Sequence, residues 1–406
     1  MLQRVVARAR CLGVGRRAAS SWAVAGSFRA DTRKATAACV EGVQDDLLGE
    51  KAELCMLQVG SGHEYDASLV STTVSERLGC SKLFGSSSPE GGGAVAKGLT
   101  GISLAAVGVP EGVSCALHAC TAPQLPRDAG RDVTDASDAV VVASPTFDIG
   151  GLLEDIGLQP ERNGGPLGVV GGTLVPLEEG SNGVLVDGEW QSNTAVAALF
   201  QGKRMRTLVS HGCRAVGELL EVRQATKRYI SEVVVQGGQP DGNKAVAAMY
   251  LELQQQGMLK DGNSMLLGVR DDEGEVFDED APASYTLYKI IAVSPSTGEL
   301  ELESNPRTGA DITGKTVRFF VQTKDACARD VDSLLSSANY DDLPQSGAFL
   351  FSSQSRLAAE EEYRIIKQFL PSVALCHVVT SRTVVPRPHD PYATCTASVL
   401  AWWADD

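Results

Sequence analysis

Two spacings of apolar residues alternate along this chain. Between residues 32 and 48, Ala35, Ala38, Val43 and Leu47 recur near a period of 3.6 and predict a helix, and related spacings predict helices at 67–78, 150–156, 243–256, 325–335 and 358–369. Between them lie short apolar runs bounded by Gly, Pro and Ser, the pattern of buried strands, at 53–59, 101–109, 112–119, 139–143, 167–172, 194–200, 205–209, 229–235 and 265–269. Asp187-Gly188 predicts a hairpin turn, and Ser296-Thr297-Gly298 a second one joining 285–293 to 300–303. The run from Gly85 to Gly93, rich in serine and glycine, predicts a loop whose backbone N–H groups can cradle an anion or a carboxylate.

The order helix, strand, helix, strand, strand from 32 to 109 recurs from 325 to 402, with strands at 348–351, 373–379 and 394–402. That recurrence predicts an α/β (α+β) fold of two related helix/sheet halves with mixed sheets, divided into 31–222 and 223–406. A concave site is expected between the halves. His63, Ser86, Ser87 and Ser88 would line one side, and Ser352, Arg356 and Arg382 the other.

Residues 207–222 bring His211, Cys213 and Arg214 together between an apolar run and a Gly-centred turn. Read as extended from 207 to 213, the stretch puts His211 and Cys213 on one face. It reads as a closely packed strand end, as a ligand contact, or as a Cys/His pair for hydrolase or transferase chemistry. Farther on, Gly309 to Thr316 matches GxxxxGK[ST] letter for letter. A phosphate-binding loop needs a helix after it, whereas Val317-Arg318-Phe319-Phe320-Val321 is strand chemistry, so no nucleotide site is expected there.

Charge narrows the partners. With 36 basic and 51 acidic residues the formal net charge is −15, which repels phosphates and argues against nucleic acid and anionic membrane surfaces. There is no apolar run of membrane-spanning length. Seven acids crowd residues 271–280 without the alternation of a calcium loop. The 10 cysteines are scattered inside apolar runs with no CxxC pair, the usage of a reducing compartment, and no zinc site or other cofactor is expected. Residues 1–30 hold six arginines and no acid, the pattern of an organellar transit peptide, read as mitochondrial first, with plastid or cytoplasm as alternatives.

Several of these segments, taken in order, resemble the FIST sensory family. They are Phe84-Gly85-Ser86-Ser87-Ser88, Ser144-Pro145-Thr146-Phe147-Asp148, Val169-Val170-Gly171-Gly172 and above all Ser210-His211-Gly212-Cys213-Arg214. The resemblance covers the N- and C-terminal parts of the family and nearly all of residues 31–403. Where that family has Phe-Ser-Cys followed by Gly-Arg-Gly, this chain reads Phe351-Ser352-Ser353-Gln354-Ser355-Arg356. The resemblance implies a small-ligand sensory domain, with amino acids suggested as ligands, of the kind found in bacterial signalling proteins and some F-box proteins. The leading expectation is a ligand-binding protein without its own chemistry, in which Arg214 or Arg356 pairs a carboxylate. A protein-interaction scaffold is the alternative, with the acidic 271–280 loop or unpaired sheet edges docking a partner.

Overall fold

The computed structural model describes residues 22–47, 50–60, 63, 66–88, 101–126, 135–158, 167–176, 183–186, 188–226, 228–237, 242–258, 263–270, 280–303, 312–339, 342–356, 359–386, 392–394 and 396–404. One unit of structure is used three times. In the first copy β1 (Trp22–Ser27), α1 (Thr32–Leu47), β2 (Leu54–Gly60), α2 (Ala67–Leu78), β3 (Leu83–Ser88) and β4 (Ile102–Val107) give the strand order β1-β4-β2-β3. Only β2 and β3, joined through α2, are parallel.

The second copy comprises β5 (Ser114–Cys120), β6 (Ala136–Ala143), α3 (Ile149–Leu158), β7 (Gly168–Leu174), a hairpin of β8 (Val184–Val186) and β9 (Glu189–Gln191), and β10 (Ala195–Gln201). Its order, β5-β10-β6-β7, repeats the first, with β6 and β7 as the parallel pair. The third begins with β11 (Met205–Ser210) and is then interrupted by β12 (Cys213–Thr226), β13 (Tyr229–Val235), β14 (Lys244–Ala245), α4 (Val246–Gln255), β15 (Ser264–Arg270), β16 (Tyr285–Ser294), β17 (Glu299–Leu302) and β18 (Thr316–Gln322). It resumes with α5 (Lys324–Ser337), β19 (Gly347–Ser353), α6 (Ala359–Phe369), β20 (Ala374–Val385), β21 (Tyr392–Thr394) and β22 (Ser398–Trp403), in the order β11-β22-β19-β20. The recurrence expected between the first and last thirds is present, with a further copy between them.

The copies join through equivalent strands. β7 and β20 pair antiparallel, fusing the second and third copies into one nine-stranded sheet with β21 at the side. On β3 the same place is taken by β8, which completes a six-stranded sheet. The two sheets pack face to face around Trp22, Leu54, Met56, Phe84, Val140, Phe200, Phe349, Phe351 and Trp403. α1 and α2 cover the outer face of the smaller sheet, and α3, α5 and α6 that of the larger. Strands between two apolar layers must be apolar on both faces, which is why β2, β4, β6 and β19 read as continuous hydrophobic runs. Along β10, Val196, Ala198 and Phe200 enter the inter-sheet core while Ala195, Ala197 and Leu199 meet α3.

The segment inserted after β11 is a barrel. Its order β12-β18-β15-β16-β17-β13 closes by pairing of β13 with β12, and β14 extends β13. Val216, Leu220, Ile230, Val233, Leu267 and Phe319 form its core, with Val246 and Leu253 of α4 packed on them.

Four expectations change. A boundary at residue 222 falls inside β12, and the large sheet takes strands from either side of it. Gly85 to Ser88 is strand, not loop: Gly85 is squeezed between β2 and β8, where an added Cβ would stand 2.7 Å from the Leu57 carbonyl oxygen. β20 likewise runs straight through Ser381 and Arg382. Within the stretch 1–30 read as a leader, Trp22–Ser27 is the buried strand β1, and residues 1–21 lie outside the described residues. Two expectations fall partly or wholly outside the description. Of the GxxxxGK[ST] match, residues 309–311 lie beyond it, and Thr316 opens β18 as its strand chemistry required. The acidic run 271–279 also lies beyond it.

Candidate functional site

The strand expected through residue 213 breaks at Gly212. There φ is +59°, and an added Cβ would lie 2.6 Å from Cys327 Sγ and 2.7 Å from Arg356 Nη2. A side chain is excluded by space and by backbone conformation together. β11 ends and β12 begins across this kink, so it is where the chain leaves the sheet for the barrel.

A buried polar network holds the kink. The Gly212 N–H donates to Asp330 Oδ2 at 2.9 Å, and the Ser210 hydroxyl donates to the same oxygen at 2.7 Å. Arg356, fully enclosed between the end of β19 and the start of α6, donates through Nη1 to the Ser210 carbonyl at 2.7 Å and the Thr396 carbonyl at 2.8 Å. Its Nη2 reaches Ser210 Oγ at 2.9 Å and Glu362, and its Nε faces both Glu362 oxygens at 2.8 and 3.0 Å. Ser398 adds a hydroxyl donor to Glu362, and the Gln322 amide donates to the His211 and Thr396 carbonyls. Burial works against the Arg356 charge, but the Glu362 carboxylate outweighs it and keeps the guanidinium firmly protonated. The guanidinium's five N–H groups are therefore engaged from within the chain. The carboxylate expected to come to Arg356 from a ligand is supplied by Glu362.

A second buried cluster lies on the helix side of the large sheet. His377 Nε2 is 3.1 Å from Ser352 Oγ, and its ring stacks on Tyr363 of α6 at 5.4 Å. The His377 carbonyl accepts from Gln58 Nε2 at 2.7 Å, a direct tie between the two sheets. Burial pulls the His377 pKa down to about 4, so the imidazole is neutral in the folded chain. The depressed value means that its contribution is complete above its unfolded value near 6.5 and is lost as pH falls through 4. Across that window the loss is about 3 kcal/mol. Urea unfolding at neutral pH and at mildly acid pH should show His377→Gln losing less stability on acidification than the parent. Equal losses would mean that His377 already carries its proton when folded.

The remaining residues anticipated from sequence are dispersed. His63 Nδ1 is 2.9 Å from Thr32 Oγ1, holding the start of α1, and Ser86 is buried within β3, which Ser87 and Ser88 continue. Arg382 pairs with Glu303 at 2.8 Å, tying the large sheet to the barrel. Arg214 is exposed on β12. Cys213 is half-buried, and burial first and the Asp330 carboxylate second push its thiol well up, away from nucleophile chemistry. Asp330, Glu362, Gln322, His377 and Gln58 were not singled out from the sequence. For Glu362 a signal existed: it stands four residues before Ile366, on the buried face of α6.

The barrel carries a polar groove of about 300 Å³ lined by Gln224, Glu232, Asn243, Lys244, Thr297 and Glu299. Asn243 donates to Glu232 at 3.2 Å and Thr297 to Glu299 at 2.9 Å, so both carboxylates are oriented while Lys244 stands exposed between strand and helix. Among the described residues, no group of three or more His, Cys, Asp or Glu is placed to hold a metal ion, and no helix is long and apolar enough to cross a membrane.

Fold and buried network together define a mixed α/β protein, with one strand–helix unit used three times and a barrel tied to it through Gln322 and the Arg382–Glu303 ion pair. The family model of the FIST N domain matches residues 55–233, so this part of the chain is similar to that domain. None of the curated proteins compared with the chain matches it.

Proposed function

We propose that the chain is a sensory protein that binds a small zwitterion, an amino acid or a close relative, and has no catalytic activity of its own. The barrel groove carries this reading. Its volume of about 300 Å³ suits a molecule of that size, and it offers a cation and two carboxylates side by side. Lys244 would receive the carboxylate, and Glu232 and Glu299 the ammonium, with the Gln224 and Asn243 amides satisfying what remains. Arg214, expected to pair a carboxylate, is exposed on β12. The absence of chemistry is supported by the raised Cys213 thiol and by the internal engagement of Arg356. The groove was not anticipated from the sequence, because its walls come from strands far apart along the chain.

The test is a thermal-shift screen of residues 22–406 against amino acids, small carboxylates and ATP. Ligand at a hundred times its dissociation constant should add about 2.7 kcal/mol. The expected result is a shift with one amino acid that Lys244→Ala abolishes and Arg214→Ala leaves in place. Loss in Arg214→Ala alone moves the site to the β12 surface, and a flat screen at saturating concentrations sinks the ligand reading.

A further inference from the structure

Most of the buried thiols are inert. Burial pushes Cys39, Cys115, Cys120 and Cys376 up to about 12, where no reactive thiolate exists at neutral pH. Cys55 and Cys80 are arranged differently. Cys55 is the second residue of β2, paired in register with Leu83 of β3, and its N–H donates to the Lys82 carbonyl at 2.8 Å. Cys80 sits on the connection into β3 with its sulfur 3.4 Å from that same carbonyl oxygen, so the Cys55 backbone and the Cys80 side chain meet at one atom. The two side chains lie in one buried cluster, where each influences the other's protonation.

Their positions relative to solvent also differ. Cys55 is fully buried among residues that are themselves buried. Cys80 is buried between two exposed neighbours, Gly79 and Ser81. Gly79 ends α2 in the left-handed conformation at φ +65°, and a Cβ there would meet nothing within 4 Å. One sulfur therefore lies a single residue beneath an open turn, and the other directly behind it.

We propose that Cys55 and Cys80 are an oxidisable dithiol that closes to an intramolecular disulfide on meeting a low-molecular-weight disulfide of the glutathione type. The Cys80 thiolate attacks one sulfur of the oxidant, forming a mixed disulfide and expelling one glutathione thiolate, which takes a proton from water. The Cys55 sulfur then attacks the Cys80 sulfur and expels the second glutathione, which leaves with the Cys55 proton. Two protein thiols are oxidised and one glutathione disulfide is reduced to two thiols. Neighbouring Cys55 is the largest influence on Cys80; with the Lys82 backbone and charge helping, and against burial, it brings that thiol to about 7. A thiol in that range is both an effective attacking group and a good leaving group, so the disulfide is readily reopened by reductant.

The test uses the reduced, folded full chain, treated with oxidised glutathione at neutral pH, blocked with an alkylating agent and mapped by peptide mass spectrometry. A Cys55–Cys80 link is the expected product. Cys55→Ser should stop at glutathione held on Cys80, and Cys80→Ser should leave Cys55 as a free thiol. A parent chain whose Cys80 keeps its glutathione, or whose two thiols both stay free, overturns the proposal. A second measurement needs no variant: alkylation of Cys80 in the parent should rise with pH about a midpoint near 7. A midpoint at the ordinary thiol value overturns the proposal equally.

Discussion

Replacing Arg356 by methionine should lower the stability of the chain by about 3–5 kcal/mol, because it strands the Glu362 carboxylate in a site that water does not reach. The loss has several sources. Glu362 keeps only the Ser398 hydroxyl among the donors described here, and the Ser210 and Thr396 carbonyls each lose a guanidinium N–H. Urea unfolding gives the value, and the double variant Arg356→Met, Glu362→Leu supplies the discriminating arm. Removing both charges together should recover most of the loss, since a buried pair replaced by apolar residues of similar size is near neutral. If the single variant were as stable as the parent, the guanidinium would be dispensable to the fold and free for the ligand role once expected of it.

Beginning the chain at residue 31 should abolish cooperative folding, whereas beginning it at residue 22 should not. The difference is β1, which pairs along its whole length with β4 from Trp22↔Val107 to Ser27↔Ile102. Trp22 stands edge-on to Phe349 at 4.8 Å and lies 6.0 Å from Trp403, so it links the small sheet to the large one. Its indole also lies directly over Gly347, in space that a Cβ there would fill. Truncating one such tryptophan to alanine costs about 3–5 kcal/mol. Deleting the strand also exposes the edge of β4, and the combined loss is comparable with the 5–15 kcal/mol that holds an ordinary domain together. Circular dichroism melts of chains 22–406 and 31–406 measure this, with Trp22→Ala as the intermediate case. A cooperative melt from 31–406 would show that β1 is an accessory to the sheet.

The same strand illustrates where local pattern misleads. Arginine-rich and acid-free, residues 1–30 look uniform, yet Trp22-Ala23-Val24-Ala25 is buried strand. Nothing within a few residues distinguishes it, because its partner β4 lies some eighty residues away. Gly85-Ser86-Ser87-Ser88 failed for a related reason. Serine and glycine have little strand preference of their own, but neighbours on both sides supply the ladder and leave room for no larger side chain at Gly85. The kink at Gly212 was hidden too, since its left-handed backbone answers to Cys327 and Arg356, both remote along the chain.

What the sequence determined by itself is the local grammar of this protein. Apolar spacing placed the six helices now described and most of the strands, the recurrence of their order revealed the repeated unit, and the strand chemistry after Lys315 placed β18. These follow from interactions among residues a few positions apart, which the order of side chains specifies directly. Tertiary structure alone decided that the unit occurs three times, that two copies fuse through β7 and β20, and that a barrel closes between β11 and α5. It also decided the surroundings of the candidate residues: Arg356 meets Glu362, Cys80 and Cys55 share one buried cluster, and Lys244 and Glu299 line one groove. A buried charge or thiol takes its chemistry from the groups packed around it, and here those groups are brought together by strand pairing over long stretches of chain.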